Sequence, residues 1–234
     1  MHIIKILLPI FLGLFCSFAY PQKIKLGFQS GIGTYEMNEL KWVTSSVYDG
    51  LPFQAKIISN YPPFLYYKPS FLLSFSKFSI GLQLSKYSTG SRISSKDYSG
   101  EYLFNTKIKG IAPSIYFDFG HFPVLKKIRL SPFIETGIIY SKLELKEFFY
   151  IYDTEITNET YNFTSKNYYV ESGLKAEYGI YKFISVELNS SYAVQFGKKN
   201  LETKEGMTIS GNRGAARPNW SGFRFGISFV ITYP

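Results

Sequence analysis

The sequence predicts an all-β chain, closed as an eight-stranded antiparallel up-and-down transmembrane β-barrel with a polar, side-chain-filled lumen. Three observations predict it. Apolar and polar residues alternate in about eight segments, each near the ~9–11 residues that a tilted strand needs to cross a bilayer. The connections between segments alternate between long and short, and the charges within the segments gather on the face opposite the aromatic and aliphatic residues. Composition agrees: 20 Tyr and 22 Phe among 234 residues, with only 18% charged, favour strands and leave the chain too apolar for disorder.

The first 22 residues, MHIIKILLPIFLGLFCSFAYPQ, begin with basic Lys5, run apolar from Ile6 to Phe15 and offer Ser17-Phe18-Ala19 as a small-x-small cleavage site. Residues 1–19 are therefore expected to be a secretory leader, with the barrel domain over residues 20–234. The apolar run is shorter than the ~20 residues of a membrane-spanning helix. Cys16, the only cysteine, falls inside this leader, so the mature chain would hold no disulfide or thiolate metal site. Lipidation at Cys16 is disfavoured by bulky Phe15 before it.

The first strand is expected over Lys23 to Thr34, with Ile24, Leu26, Phe28 and Ile32 opposite Lys25, Gln29 and glycines. The second, Phe64 to Phe75, sets Leu65, Tyr67, Phe71 and Leu73 against Lys68, Ser70 and Ser74, and the third follows with Phe78, Ile80, Leu82 and Leu84. Apolar positions are odd in the second strand and even in the third, so the turn between them must have even length, as Ser76-Lys77 does. The fourth ends with Ile111, Ile115, Phe117 and Phe119 opposite Ala112, Ser114, Tyr116 and Asp118.

The fifth, about Ile128 to Tyr140, is less clean, because Phe133 and Ile139 share the face of Arg129 and Glu135. Val170 to Ile180 and Ile184 to Phe196 supply the sixth and seventh. Their shared parity demands an odd loop: five residues would set Lys175 directly opposite Glu187, three would set them diagonally. The eighth is GFRFGISFVITY, ending at Tyr233. Residues 35–63, 87–101, 144–167 and 197–219 read as long polar loops, and 120–127 and 181–183 as short turns.

In a soluble sheet the charged face meets water; in a membrane barrel the apolar face meets lipid and the charged face turns inward. The second arrangement fits better. Glycine and serine crowd the polar face (Gly27, Gly31, Ser74, Ser79, Gly81, Ser85), as a confined lumen requires. Aromatics sit near the ends of the apolar face, with Phe75, Phe78, Phe119, Tyr178 and Tyr233 toward the short turns and Tyr67, Tyr140, Phe196 and Phe223 toward the long connections. These are positions for two interfacial girdles. The polar face carries Lys25, Lys68, Arg129, Lys175 and Arg224 against Asp118, Glu135, Glu171, Glu177 and Glu187, a balanced set. Balance predicts a cross-linked ionic interior that holds the barrel closed, whereas a charge-selective pore favours one sign.

These features together, with the terminal strand GFRFGISFVITY, resemble the small eight-stranded outer-membrane barrels of Gram-negative bacteria, the OmpA transmembrane domain and OmpX type. The resemblance spans nearly all of the mature chain. It implies residence in the bacterial outer membrane, contact with membrane lipid and glycolipid, and recognition of the C-terminal strand by the outer-membrane assembly machinery. Pro234 departs from the pattern, in which the chain ends on the aromatic. The fold identifies architecture well and function poorly.

The net charge of +9 lies on scattered residues without a basic motif, which argues against nucleic acid and for anionic lipid or glycolipid phosphate as the counter-charge. Barrels of this size include outer-leaflet enzymes that use Ser and His, but the only histidine beyond the leader is His121, in the short turn GHFPVLKK on the side away from the long loops. A catalytic role is therefore not expected, nor a cofactor or metal. The segment STGSRISSKDYSGEY, residues 88–102, has turn composition rather than a binding motif. In the first long connection Met37, Leu40 and Val47 are spaced for a short amphipathic helix with poor caps. The two Asn-x-Thr triplets at Asn158 and Asn162 match a glycosylation pattern by accident of composition. The expected function is a non-enzymatic structural or surface-interaction role of a monomeric barrel through its long extracellular connections. The alternatives are an outer-leaflet lipid-modifying or lipid-binding barrel and a small channel.

Overall fold

The computed structural model describes residues 23–233 except 76, 121, 126, 153, 198 and 213. The expected leader with Cys16, together with His121 and Pro234, lies outside the described residues.

Eight strands form the wall: β1 (Lys23–Gly33), β2 (Phe64–Ser74), β3 (Phe78–Lys96), β4 (Gly100–Phe119), β5 (Ile128–Ile151), β6 (Thr154–Tyr181), β7 (Ile184–Phe196) and β8 (Gly222–Tyr233). Each pairs antiparallel with the next. β8 then pairs with β1, from Ile24 opposite Tyr233 to Gly33 opposite Arg224, so the sheet closes and leaves no edge. Both ends of the wall, Lys23 and Tyr233, lie on the short-turn side, where Lys23 is opposite Ser74.

The apolar faces point outward: Leu82 and Phe229 are each 63% exposed, whereas Asp118 and Glu135 are fully buried. The turn between β2 and β3 obeys parity. Phe75 N–H donates to Phe78 O at 2.8 Å, closing the two-residue turn between β2 and β3. Between β6 and β7 the register puts Glu177 opposite Glu187 and Lys175 opposite Asn189, so Lys175 and Glu187 lie on a diagonal. The odd loop expected there is replaced by a two-residue turn, Lys182-Phe183, and a register shift between Gly179 and Tyr181 absorbs the extra residue.

Two expected loops are corrected. Residues 87–101 and 144–167 are mostly strand: the β3–β4 ladder continues to Lys96 opposite Glu101, and the β5–β6 ladder to Ile151 opposite Thr154. Beyond the lipid both faces can be polar, so the hydropathy signal fades while Tyr, Thr and Ile keep the backbone extended. The β3–β4 tip turns at Asp97, whose Oδ1 accepts from Ser99 N–H at 2.8 Å, Ser99 Oγ at 2.7 Å and Gly100 N–H at 3.1 Å. Those bonds, led by the Ser99 hydroxyl, hold the Asp97 carboxyl below its ordinary range.

The first long connection contains helix α1 (Asn38–Asp49). Its N-cap, Met37, is left-handed at φ 42° and makes no side-chain cap, so burial of Leu40, Val43 and Thr44 stabilises it rather than capping. A short strand, Lys56–Asn60, then pairs with the upper part of β3.

Inward-facing glycines make room for large side chains. Gly31 and Gly226 are opposite one another, and a Cβ on Gly226 would lie 2.6 Å from the Tyr66 hydroxyl. Tyr66 itself is fully buried, accepting from Gln29 Nε2 at 2.6 Å. The untidy face of β5 has its reason here too. Phe133 packs with Tyr116, ring centroids 5.3 Å apart, and Leu72 in a small apolar patch of the lumen. Ile139 belongs to a larger apolar cluster in the half of the barrel nearer the long connections.

Candidate functional site

Alternation on each strand brings the ten inward charges together inside the wall, in three tiers. Nearest the short turns, Glu177 on β6 lies between Lys25 on β1, at 3.3 Å, and Arg129 on β5, at 2.6 Å. Around them a cavity of about 170 Å³ opens at the mouth, lined also by Lys23 and Lys182. One level up, Lys175 on β6 lies 2.7 Å from Asp118 on β4 and 3.4 Å from Glu187 on β7, with its ammonium 5.4 Å from the Tyr116 ring. Higher still, Lys68 on β2 contacts Glu135 on β5 at 2.6 Å and Glu171 on β6 at 3.2 Å, and Arg224 on β8 pairs with the same Glu171.

Seven strands thus contribute a charge. β3 joins through its backbone, where Ser79 N–H donates to Asp118 Oδ1 at 3.0 Å. Neutral donors complete the carboxylates: Ser191 Oγ donates to Glu171 at 2.7 Å, and the Tyr169 hydroxyl donates to Glu135. Nine of the ten charged side chains are almost fully buried, Arg129 at the mouth being 45% exposed. Buried charges are tolerated only when paired and hydrogen-bonded. Two atoms of this set fall short: Glu187 Oε1 and Arg224 Nε have no hydrogen-bond partner among the described residues.

Arg224 marks the boundary between the ionic and aromatic halves of the lumen. Its guanidinium stacks 4.4 Å from the Tyr87 ring, donates to the Tyr87 hydroxyl at 2.7 Å and reaches Trp220 O at 3.4 Å. Above it, Trp220 packs edge-on to Tyr35, centroids 5.0 Å apart, and donates from Nε1 to Ser141 Oγ at 2.9 Å. Met37, Leu40 and Val43 from the first connection and Leu201 and Ala216 from the last fill the remaining space between the walls. Between the ionic tiers the cavity lined by Lys68, Tyr116 and Glu187 measures about 10 Å³, room for about one water.

Alternation shows the ten charges as one face of the strands but gives no role to Trp220 or to tyrosines 66, 87 and 169. The parity that placed Lys68 and Glu171 inward also places Tyr66 and Tyr169 inward, and that signal was available. Trp220 lies outside any alternating segment, and only the closed structure brings it over the bore. Among the described residues no group of three or more His, Cys, Asp or Glu is gathered to hold a metal. Each lumen carboxylate has a cation within 3.4 Å.

A closed ring of eight antiparallel strands, apolar outside and ionic within, defines a small transmembrane β-barrel of the outer-membrane type. Among solved structures, one reaches the level at which a shared fold can be argued. A major outer membrane protein from Thermus thermophilus is 12% identical with a TM-score of 0.50, covering 89% of this chain and 99% of that one. Neisserial surface protein A matches at 9% identity, TM-score 0.42, over 90% and 97%, and the outer membrane protease OmpT of Escherichia coli at 13%, TM-score 0.40, over 91% and 97%. At 12% identity the likeness to the Thermus protein is one of fold, and fold does not carry function. No protein-family model matches the sequence, and no curated protein matches it.

Proposed function

We propose that the protein is a bacterial outer-membrane barrel with a closed lumen, acting without catalysis through the surface that its two tall hairpins present outside the cell. The height of those hairpins carries the reading. From Lys86 opposite Ile111 to Lys96 opposite Glu101, and from Tyr140 opposite Lys166 to Ile151 opposite Thr154, the ladders continue past the lipid-facing residues. At ~3.4 Å per residue and a tilt near 40°, each rises roughly 25 Å above the apolar belt. Such a ladder is a rigid platform and not a flexible loop.

The filled bore favours this reading over a small channel, since Lys175, Arg224 and Trp220 are each 1% exposed inside it. An outer-leaflet enzyme or lipid-modifying barrel lacks support in the sequence, where His121 is the only histidine beyond the leader. The C-terminal strand Gly222–Tyr233, with outward Phe223, Phe225, Phe229 and Tyr233, is the segment proposed to meet the assembly machinery.

The test is a variant whose two hairpins are shortened by whole paired rungs above Ser88–Lys109 and Lys142–Thr164, expressed in a strain lacking the protein. The reading expects a heat-modifiable barrel that leaves the surface phenotype of the deletion strain uncorrected. Full rescue by the shortened barrel would refute it.

A further inference from the structure

The register of β2 to β6 sets outward residues side by side in rungs. At the level of the outer girdle the rung reads Tyr67, Lys86, Ile111, Tyr140, Lys166 on successive strands. The Lys166 ammonium lies 5.4 Å from the Tyr140 ring, so cation and girdle aromatic share one depth. The next rung, two residues further along each strand, places Lys109 directly opposite Lys142, and the one above it places Lys107 opposite Glu144. Five exposed lysines thus face outward against a single carboxylate. None of the five makes an ion pair within 4 Å among the described residues; the one exposed pair in the upper wall is Lys96–Glu101 at the hairpin tip. The outward positions of β7, β8 and β1 hold no Lys or Arg at all, so the charge belongs to one side of the barrel.

Like charges set directly across a ladder are unfavourable unless something anionic lies between them. Depth says what that anion is. Lys109 is two residues above Ile111, where the continuous outward apolar run of β4 (Ile111, Pro113, Ile115, Phe117) ends. On a strand tilted near 40° this lifts its Cα about 5 Å above the belt, the level of lipid headgroups. We propose that the outward face of β3–β6 binds the phosphorylated headgroup of an outer-leaflet glycolipid, one phosphate bridging Lys109 and Lys142 and a second held near Lys86 or Lys166. Acyl chains of the same molecule would lie against Leu84, Ile111 and Tyr140 below. The assignment rests on the outer-membrane reading, which makes this end of the barrel the outer leaflet.

The full chain, folded in detergent micelles, is titrated with diphosphoryl lipid A, with its dephosphorylated form, and with phosphatidylglycerol at matched charge. The triple variant Lys109→Gln/Lys142→Gln/Lys166→Gln is compared with Lys56→Gln/Lys199→Gln/Lys204→Gln, which removes equal charge from other exposed positions. The proposal expects at least tenfold weaker diphosphoryl lipid A binding for the first triple, a wild-type constant for the second, and weak wild-type binding of the dephosphorylated form. Equal binding by wild type and the first triple would make this a merely solvated face and overturn the site. Equal affinity for phosphatidylglycerol would overturn the choice of glycolipid. Failure of the chain to fold into micelles at all would overturn the barrel reading itself, a result separable from either.

Discussion

Glu171→Gln is the sharpest perturbation of the ionic interior, because it removes one charge and almost no volume. Glu171 serves two cations, Lys68 at 3.2 Å and Arg224, and accepts from Ser191 Oγ at 2.7 Å. Lys68 keeps Glu135 at 2.6 Å, but Arg224 loses the only carboxylate it contacts among the described residues and is left with the Tyr87 hydroxyl at 2.7 Å and Trp220 O at 3.4 Å. Stranding one member of a buried pair costs about 3–5 kcal/mol, and the retained amide oxygen favours the lower end, about 3 kcal/mol. For a chain of this size that is a fall of roughly 6–12 °C in the unfolding temperature. Loss of heat-modifiable migration as micelle samples are heated reads it directly. Adding Arg224→Met removes the stranded cation, so the double variant should recover part of the loss. A Glu171→Gln shift under about 2 °C, or one no larger than that of exposed Glu205→Gln, would refute the reasoning.

The tiers should not weigh equally. Glu187→Gln leaves Lys175 its closer partner Asp118 at 2.7 Å, so its cost in the same assay should be about 1 kcal/mol; a loss matching Glu171→Gln would contradict the ranking. Trp220→Ala opens a cavity among Tyr35, Tyr87 and Ser141 and should cost about 3–5 kcal/mol. The ionic tiers below still fill the bore, so planar-bilayer recordings should show no steady conductance for this variant. At the β3–β4 tip the folded pKa of Asp97 is depressed, so its contribution is present above the ordinary carboxylate value of 3.8 and is lost as pH falls through the lower folded value. Protection of the Ser99 and Gly100 amides, measured against their intrinsic exchange, should fall over that acidic window, and Asp97→Ala should show the lower protection at neutral pH; identical protection in variant and wild type would count against the turn.

The eight membrane-level strands were legible because a period of two, read over ten residues, leaves few alternatives once one face must meet lipid. Turn parity admits two registers for Lys175 and Glu187, opposite or diagonal, and the ladder adopts the diagonal. The same signal failed at Tyr87 to Glu101 and Glu144 to Asn167, where water on the outer side lets Arg92, Lys146 and Thr164 stand at outward positions without breaking the ladder. Helix α1 was visible through Met37, Leu40 and Val47, yet its buried anchor Val43 was not, since that anchor depends on which walls surround it. The lumen charges could be assigned to a face, but their sorting into tiers follows strand stagger, which alternation does not encode. Trp220 and Leu201 reach the apolar half from a connection with no period to read.

Which face is wet decides the whole account, and single-cysteine scanning measures it, since the chain has no cysteine beyond Cys16. Cysteines placed singly at outward Leu82, Ile115 and Phe229 and at inward Ser114 and Ser228 would carry a fluorescent label in the bilayer-reconstituted barrel. The account predicts that a lipid-phase quencher extinguishes the three outward labels and spares the inward ones, with aqueous iodide reaching none of the outward set. Iodide quenching at Leu82, Ile115 and Phe229 would contradict it and return the chain to a soluble sheet.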